Sequence, residues 1–248
     1  MRPLASVVVP AFNASHTIGA CLSALRAPSP DPGYEVIVVD NGSTDDTCRI
    51  VRSFSEVRLL HCNDVRGPGA ARNVGARAAR GVVLAFTDAD CVPAPSWVAQ
   101  GLHALTHPDI CGVAGQITGV PPRNGIQQWM IARDMLAAEP PLRHPFRPFI
   151  QTANAFYRRS DFEAVGGFDE RLLTGEDCDL SWRVLEFAGG RFAYEPSASV
   201  AHDHRSTLRG LFLQSVNNAR ADAWLAQKWG RPCRRSPGRL RSGSSATS

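Results

Sequence analysis

The chain has 248 residues, 44% hydrophobic and 20% charged, an ordinary balance for a soluble globular protein with ample length for a large core. Its net charge of +4 is carried by the end of the chain: Arg231, Arg234, Arg235, Arg239 and Arg241 lie in 231–248 without an acid, so the remainder sums to −1 and does not read as a nucleic-acid binder. The seven cysteines are scattered and never spaced C-x-x-C, which argues against a disulfide framework and a zinc site and fits a reducing compartment.

No window approaches the roughly 18 apolar residues of a membrane span. Leu4–Val9 is too short for the apolar core of a signal peptide and runs into an apparent first strand, so a cytoplasmic location is expected. Up to about residue 110, strands and helices alternate. A strand at Ala5–Val9 precedes a helix after Ser15 whose Ile18, Leu22 and Leu25 share one face. A strand at Glu35–Asp40 precedes a helix capped near Ser43-Thr-Asp-Asp. Then come a strand at Val57–His61, a helix around Ala70–Ala79 and a strand at Val82–Thr87. This alternation predicts an α/β fold with a parallel sheet and helices on both faces.

Beyond residue 110 the sequence is irregular and rich in Gly and Pro, as in 112–122 and 139–148. Expected elements are a strand at Ile150–Tyr157, a helix from near Glu176, strands at Arg191–Tyr194 and Ser199–Ala201, and a helix over Leu208–Trp229. The chain is thus expected to form one domain over 1–230, with a regular half to 110, an irregular half at 111–205 and a C-terminal helix at 206–230. Residues 231–248 read as a basic disordered tail.

The apolar run Gly81-Val-Val-Leu-Ala-Phe ends in Thr87-Asp88-Ala89-Asp90. Ligands of open α/β sheets bind at the carboxyl ends of such strands. Two acids there repel each other unless a cation with oxygen ligands lies between them. If the first two strands are neighbours, Pro10-Ala11-Phe12-Asn13 and Asp40 open on the same edge, where a ring-and-ribose ligand can stack near Phe12 and hydrogen-bond to Asp40. Gly67-x-Gly69-x-x-Arg72 has arginine where the dinucleotide fingerprint needs a small residue, and no acid follows about 20 residues on except at a strand end. A glycine-flanked helix start with Arg66 and Arg72 suits a phosphate or an acidic group instead.

Glu176, Asp177 and Asp179 crowd a helix start. Asp179 forms an i, i+4 pair with Arg183, and three acids exceed what a helix dipole requires, which leaves one as a candidate general base. His202 and His204 project on one side of an extended segment and are candidate ligands for Mn²⁺ more than for Mg²⁺. In the last helix Leu208, Leu211, Phe212, Ser215 and Ala219 form a loose stripe. It is expected to pack on the core, with docking on an anionic membrane surface as the alternative.

Seven segments in order, PAFN at 10–13, DNGSTDDT at 40–47, RGPGAARNVGARAARG at 66–81, FTDAD at 86–90, NAFYRR at 154–159, GGFDE at 166–170 and GEDCDLSWR at 175–183, resemble the family 2 glycosyltransferases over residues 4–205. The resemblance implies the GT-A fold, a Rossmann-like, mostly parallel sheet flanked by helices, with a nucleotide-binding half to 110 and an irregular C-terminal acceptor half at 111–205. It also implies transfer of a sugar, with inversion, from a nucleotide diphosphate sugar donor to a glycan, lipid-linked or small-molecule acceptor, aided by Mn²⁺ or Mg²⁺. By that resemblance Pro10, Ala11, Phe12, Asn13 and Asp40 would hold the nucleoside and Arg72 the base or phosphates. Asp88 would address ribose or metal, Asp90 the cation, and His202 or His204 would add a metal ligand. Asp177 would be the catalytic base with Glu176 beside it, and Asn154 and Trp182 would line the donor-sugar or acceptor wall. Asn41 replaces the second acid that the family often carries after Asp40.

Two other readings compete. A sugar-phosphate nucleotidyltransferase needs a G-x-G-T-R-type loop that is missing after the first strand. A non-catalytic nucleotide-binding module would be expected to have lost the acids at Asp88, Asp90 or Asp177.

Overall fold

The computed structural model describes residues 2–26 and 33–230, and the expected basic tail lies outside the described residues. In chain order the elements are β1 (Ala5–Ala11), α1 (Ile18–Arg26), β2 (Tyr34–Asp40), α2 (Thr47–Arg52), β3 (Val57–His61), α3 (Pro68–Ala78), β4 (Val83–Thr87), β5 (Cys91–Pro93), α4 (Trp97–Ala104), β6 (Ile110–Gly119), α5 (Gly125–Ala132), α6 (Glu139–Leu142), β7 (Asn154–Arg158), α7 (Arg159–Ala164), α8 (Glu176–Ala188), β8 (Arg191–His202) and α9 (Leu208–Trp229). The strands form one sheet in the order β3-β2-β1-β4-β7-β6-β8-β5.

The continuous apolar strands account for the first half. Val7, Val8 and Val9 of β1 and Ile37, Val38 and Val39 of β2 are all fully buried, as strands covered on both faces must be. Pairing of β1 with β2 and β4, and of β2 with β3, is parallel throughout. Helix α3 packs directly on β1 because residue 75 is glycine: a Cβ there would stand 2.4 Å from Val8 Cγ1.

The second half is mixed rather than parallel. Strand β7 runs antiparallel to β4 and β6, β8 runs parallel to β6, and β5 closes the edge antiparallel to β8. The glycine-rich stretch after residue 110, expected to be irregular, is in fact the ten-residue strand β6. Its glycines mark close packing, not loops. A Cβ at Gly112 would meet Ile150 and Tyr157 at 2.9 Å, and one at Gly115 would meet the Ala198 carbonyl at 2.0 Å. The two expected short strands at 191–201 are the single strand β8. The strand expected from Ile150 begins at Asn154, because residues 151–154 make a turn closed by Asn154 N–H donating to the Gln151 carbonyl.

This topology sends many chain ends to one edge. Residue Ala11 pairs with Asp40, Thr87 with Asn154, and Gly119 with His202, so the carboxyl ends of β1, β2, β4, β6 and β8 and the start of β7 share that edge. Helix α9 has the expected bounds but not the expected packing. Its buried residues are Ala221 and Leu225, whereas Leu208 and Phe212 are 73% and 68% exposed. The stripe at the start of α9 is therefore surface. The far end of α9 is fixed by Asp179 of α8, which accepts from Lys228 Nζ at 2.7 Å and Trp229 Nε1 at 2.9 Å besides pairing with Arg183. No helix among the described residues is long and apolar enough to cross a membrane.

Candidate active site

A cleft of about 860 Å³ opens along that sheet edge, within the size range of small-ligand sites. It is lined by Pro10 to Asn13 from β1, Arg66 to Pro68 and Arg72 from α3 and its approach, Asp88 and Asp90 after β4, Gln151 to Ala153 before β7, Asp177 on α8, and His202 to Thr207 after β8. Side chains from opposite ends of the sequence therefore face one space.

Asp88 and Asp90 differ sharply in environment. Arg72 Nη2 donates to Asp88 Oδ1 at 2.6 Å, while Arg72 Nη1 donates to Glu176 Oε1 at 2.8 Å. Burial opposes the charge on Arg72, but Asp88 and Glu176 together raise its pKa above the ordinary arginine value. Burial and the adjoining Asp177 charge raise the Glu176 pKa in spite of Arg72.

Asp90 Oδ1 faces His202 Nε2 at 3.4 Å. Both Asp90 Oδ1 and His202 Nδ1 are buried without a hydrogen-bond partner. Burial, with Asp88 nearby, raises the Asp90 pKa, and His202 counters it. Two orphaned polar atoms are costly in a folded protein unless something completes them. Asp90, Cys91 and His202 offer donor atoms within 4.8 Å of one another, and a carboxylate with an imidazole is a donor set that fits Mn²⁺. The pair Asp90 and His202 would thus hold a divalent cation. The His204 ring lies 5.0 Å from that of His202, and its own Nδ1 is also orphaned. Burial, then His202, lowers the His204 pKa, so it is a neutral imidazole at physiological pH.

Asp177 lies in the first turn of α8, is 5% exposed, and accepts from the Cys178 N–H at 2.9 Å. Gly175 precedes it at φ 79°, a conformation glycine adopts without strain, and a Cβ there would meet Ala221 of α9 at 2.9 Å. That glycine lets α8 present its acids to the cleft while α9 packs behind.

Three expected site residues lie elsewhere. Asn154 is 1% exposed and fully engaged: Oδ1 accepts from Trp97 Nε1, and Nδ2 donates to the Gln116 and Ala198 carbonyls. It clamps β6, β7, β8 and α4 together instead of walling the cleft. Trp182 is fully buried between Phe146 and Trp229, with Nε1 donating to the Arg147 carbonyl. A large apolar ring on the inner face of α8 is core. Asp40 turns into its own loop, accepting from the Gly42 and Ser43 amides, and does not line the cleft. Burial works to raise the Asp40 pKa, but the Ser43 hydroxyl and amide outweigh it and hold the carboxyl below its ordinary value.

Phe12 is 55% exposed on the cleft wall, open for a planar ring. Asn13 has φ 49° and ties the two loops, its Oδ1 accepting from the Thr44 N–H at 2.8 Å. The cleft also contains residues that the motifs do not single out. Gln151 Oε1 is buried without a partner, and Arg205 lines the wall without an ion pair among the described residues. Gln151 sits in a turn that reads as strand in sequence, and only the strand register brings it to the edge.

The model of the family described as "Glycosyl transferase family 2" matches residues 6–166. The chain belongs to that family. It is 36% identical over 214 residues to the pre-mycofactocin glycosyltransferase of Mycobacterium tuberculosis, covering 82% of this chain and 43% of that protein. Among solved structures, glucosyl-3-phosphoglycerate synthase from M. tuberculosis, in complex with Mn²⁺, UDP and phosphoglyceric acid, superposes with TM-score 0.69 at 25% identity, covering 93% of this chain and 80% of that one. The mannosyltransferase PcManGT from Pyrobaculum calidifontis, in complex with GDP-Man and Mn²⁺, superposes with TM-score 0.68 at 23% identity, covering 94% and 66%. The fold is GT-A, as the sequence resemblance implies. The chain spans about half the length of the curated relatives it matches.

Proposed function

We propose that this chain is a glycosyltransferase that moves a sugar from a nucleoside diphosphate sugar to an acceptor hydroxyl with inversion. The observation that carries this reading is the convergence of Asp90, His202, the Arg72–Asp88 pair and Asp177 on one cleft from four different elements. Phe12 offers a face for the nucleobase, and the exposed Arg66 and Arg205 supply positive charge on either side of the diphosphate. When bound by Asp90 and His202, a divalent cation supplies charge compensation to the leaving nucleoside diphosphate.

Asp177 Oδ takes the proton from the acceptor hydroxyl as the new bond forms at the anomeric carbon. Burial of Asp177 beside Glu176 keeps bulk water from competing as proton acceptor. Gln151 Oε1, orphaned on the same wall, accepts a hydrogen bond from a sugar hydroxyl. A single base on the face opposite the leaving group gives inversion, so an α-linked donor yields a β-linked product. Relatives and neighbours that carry glycosyltransferase names, among them complexes with UDP or GDP-Man, support the donor class. The start of α9, with Leu208 and Phe212 exposed beside the cleft residues Thr207 and Gly210, is suited to an acceptor presented at an anionic membrane surface.

The test is the anomeric configuration of the product formed from an α-linked nucleotide sugar, read by NMR. Inversion supports the single-base reading. A retained configuration overturns it.

A further inference from the structure

The sequence spacing of the cysteines gives no sign of a thiol-containing metal site, yet the fold gathers a carboxylate, a thiol and an imidazole outside the lining of the catalytic cleft. Asp40 ends β2, Cys48 lies in the first turn of α2 and His61 ends β3. The parallel register sets Asp40 directly beside His61, and α2, which connects the two strands, returns Cys48 over them. One donor atom from each residue lies within 4.8 Å of the other two. The His61 Nδ1 to Asp40 Oδ2 distance is 3.5 Å.

We propose that Asp40, Cys48 and His61 form a second cation site, selective for a thiophilic ion such as Zn²⁺ and distinct from the site at Asp90. The chemistry separates the two. Carboxylate with imidazole accepts Mn²⁺, whereas a thiolate selects Zn²⁺ over Mg²⁺ and Mn²⁺. Tetrahedral zinc with oxygen, nitrogen and sulfur ligands has donors about 3.4–3.6 Å apart, so the three side chains close on the ion with about 1 Å of movement. Water supplies the fourth ligand on the open side, where His61 is exposed.

The cation displaces the proton of the Cys48 thiol, and that proton leaves to solvent. Asp40 is already held in place by the Gly42 and Ser43 amides, which serve as the outer hydrogen bonds that metal-binding carboxylates ordinarily need. Cys48 is also the only cysteine among the described residues that is not buried, so an ion reaches it without opening the core. The bound ion would pin the 40–48 loop, whose Ser43 and Thr44 hold Asn13 on the cleft wall.

The experiment is titration of the full chain with Co²⁺, reading the cobalt–thiolate charge-transfer band in the near ultraviolet, followed by displacement with Zn²⁺. The expected result is one thiolate-bound Co²⁺ per chain, displaced by Zn²⁺. Cys48→Ser removes the band, and His61→Gln, an exposed position that does not threaten folding, weakens Zn²⁺ affinity by about tenfold or more. Asp90→Ala leaves the band intact. Absence of the band in the unmodified protein overturns the proposal, as does a band that survives Cys48→Ser. A band lost in Cys91→Ser but not in Cys48→Ser would assign the thiolate to the Asp90 cluster instead, which also overturns it.

Discussion

Arg72 Nη1 donates to Glu176 Oε1 at 2.8 Å, a contact between buried side chains 104 residues apart that joins α3 to the first turn of α8. The same guanidinium holds Asp88 through its other Nη, so one arginine ties the loop after β4 to the helix that carries Asp177. Sequence reading expects Arg72 to meet a phosphate or an acidic group. At 3% exposure it is better placed to fix the two acids on either side of it.

Arg72→Met is expected to leave the buried Glu176 without a counter-charge and to cost about 3–5 kcal/mol of folding stability. Arg72→Lys keeps the charge but loses the two-pronged geometry, and should fall between. Urea denaturation checks both. An unchanged midpoint in Arg72→Met would mean that the buried pair contributes nothing.

Asp177→Asn should lower kcat by about 10²–10⁴-fold, the usual contribution of a positioned base, with donor affinity within a few-fold of the unmodified enzyme. The combination matters because Asn is nearly isosteric. Steady-state kinetics with calorimetric donor binding separates the two effects, and an unaltered kcat would remove Asp177 from the base role.

Asn154→Ala is expected to act on stability and not on the sugar. The change strips partners from Trp97 Nε1, from the buried Ala198 carbonyl and from the part-buried Gln116 carbonyl, and should cost about 3 kcal/mol. The donor KM of the protein that remains folded should stay within about twofold. A selective rise in donor KM at unchanged stability would return Asn154 to the sugar wall.

Asp169 makes the acid limb of stability depend chiefly on its pairing with Arg171. The hydrogen bond from Arg171 outweighs burial and holds the carboxyl at about 2, with Lys228 of α9 adding its charge at 3.6 Å. A pKa depressed on folding stabilises the native state above the unfolded value of about 4, and that contribution disappears as pH falls towards 2. The partners are partly solvated, so the contribution is about 1 kcal/mol. Asp169→Asn should flatten the stability profile between pH 4 and 2 in thermal melts; an unaltered profile would assign the acid limb to other carboxylates.

The first half of the fold is legible in sequence because its strands are buried on both faces and read as unbroken apolar runs, with Asp40 and Asp88 marking where they stop. Strand β6 is hidden because Gly112, Gly115 and Gly119 look like loop residues until the neighbours that exclude a Cβ are known. Asp88, Asp90 and Asp177, which the structure brings to one cleft, stand out in sequence because carboxylates at a strand exit or crowded at a helix start have few structural explanations. Trp182, Asn154 and Asp40 mislead for a common reason. A residue within a motif segment can serve the core or its own loop, and only burial and hydrogen-bond partners distinguish that from a role in the cleft. Gln151 has no sequence signal, since its position depends on a turn and on the pairing of Thr87 with Asn154.

Coupling of a divalent cation, held by Asp90 and His202, to a nucleoside diphosphate is read by calorimetric titration of UDP and GDP with and without Mn²⁺, on the unmodified chain and on Asp90→Ala. One of the two nucleotides is expected to bind, with binding that needs Mn²⁺ and is weakened about tenfold or more by Asp90→Ala. Nucleotide binding that is equally tight without the cation, or unaffected by Asp90→Ala, would contradict that coupling.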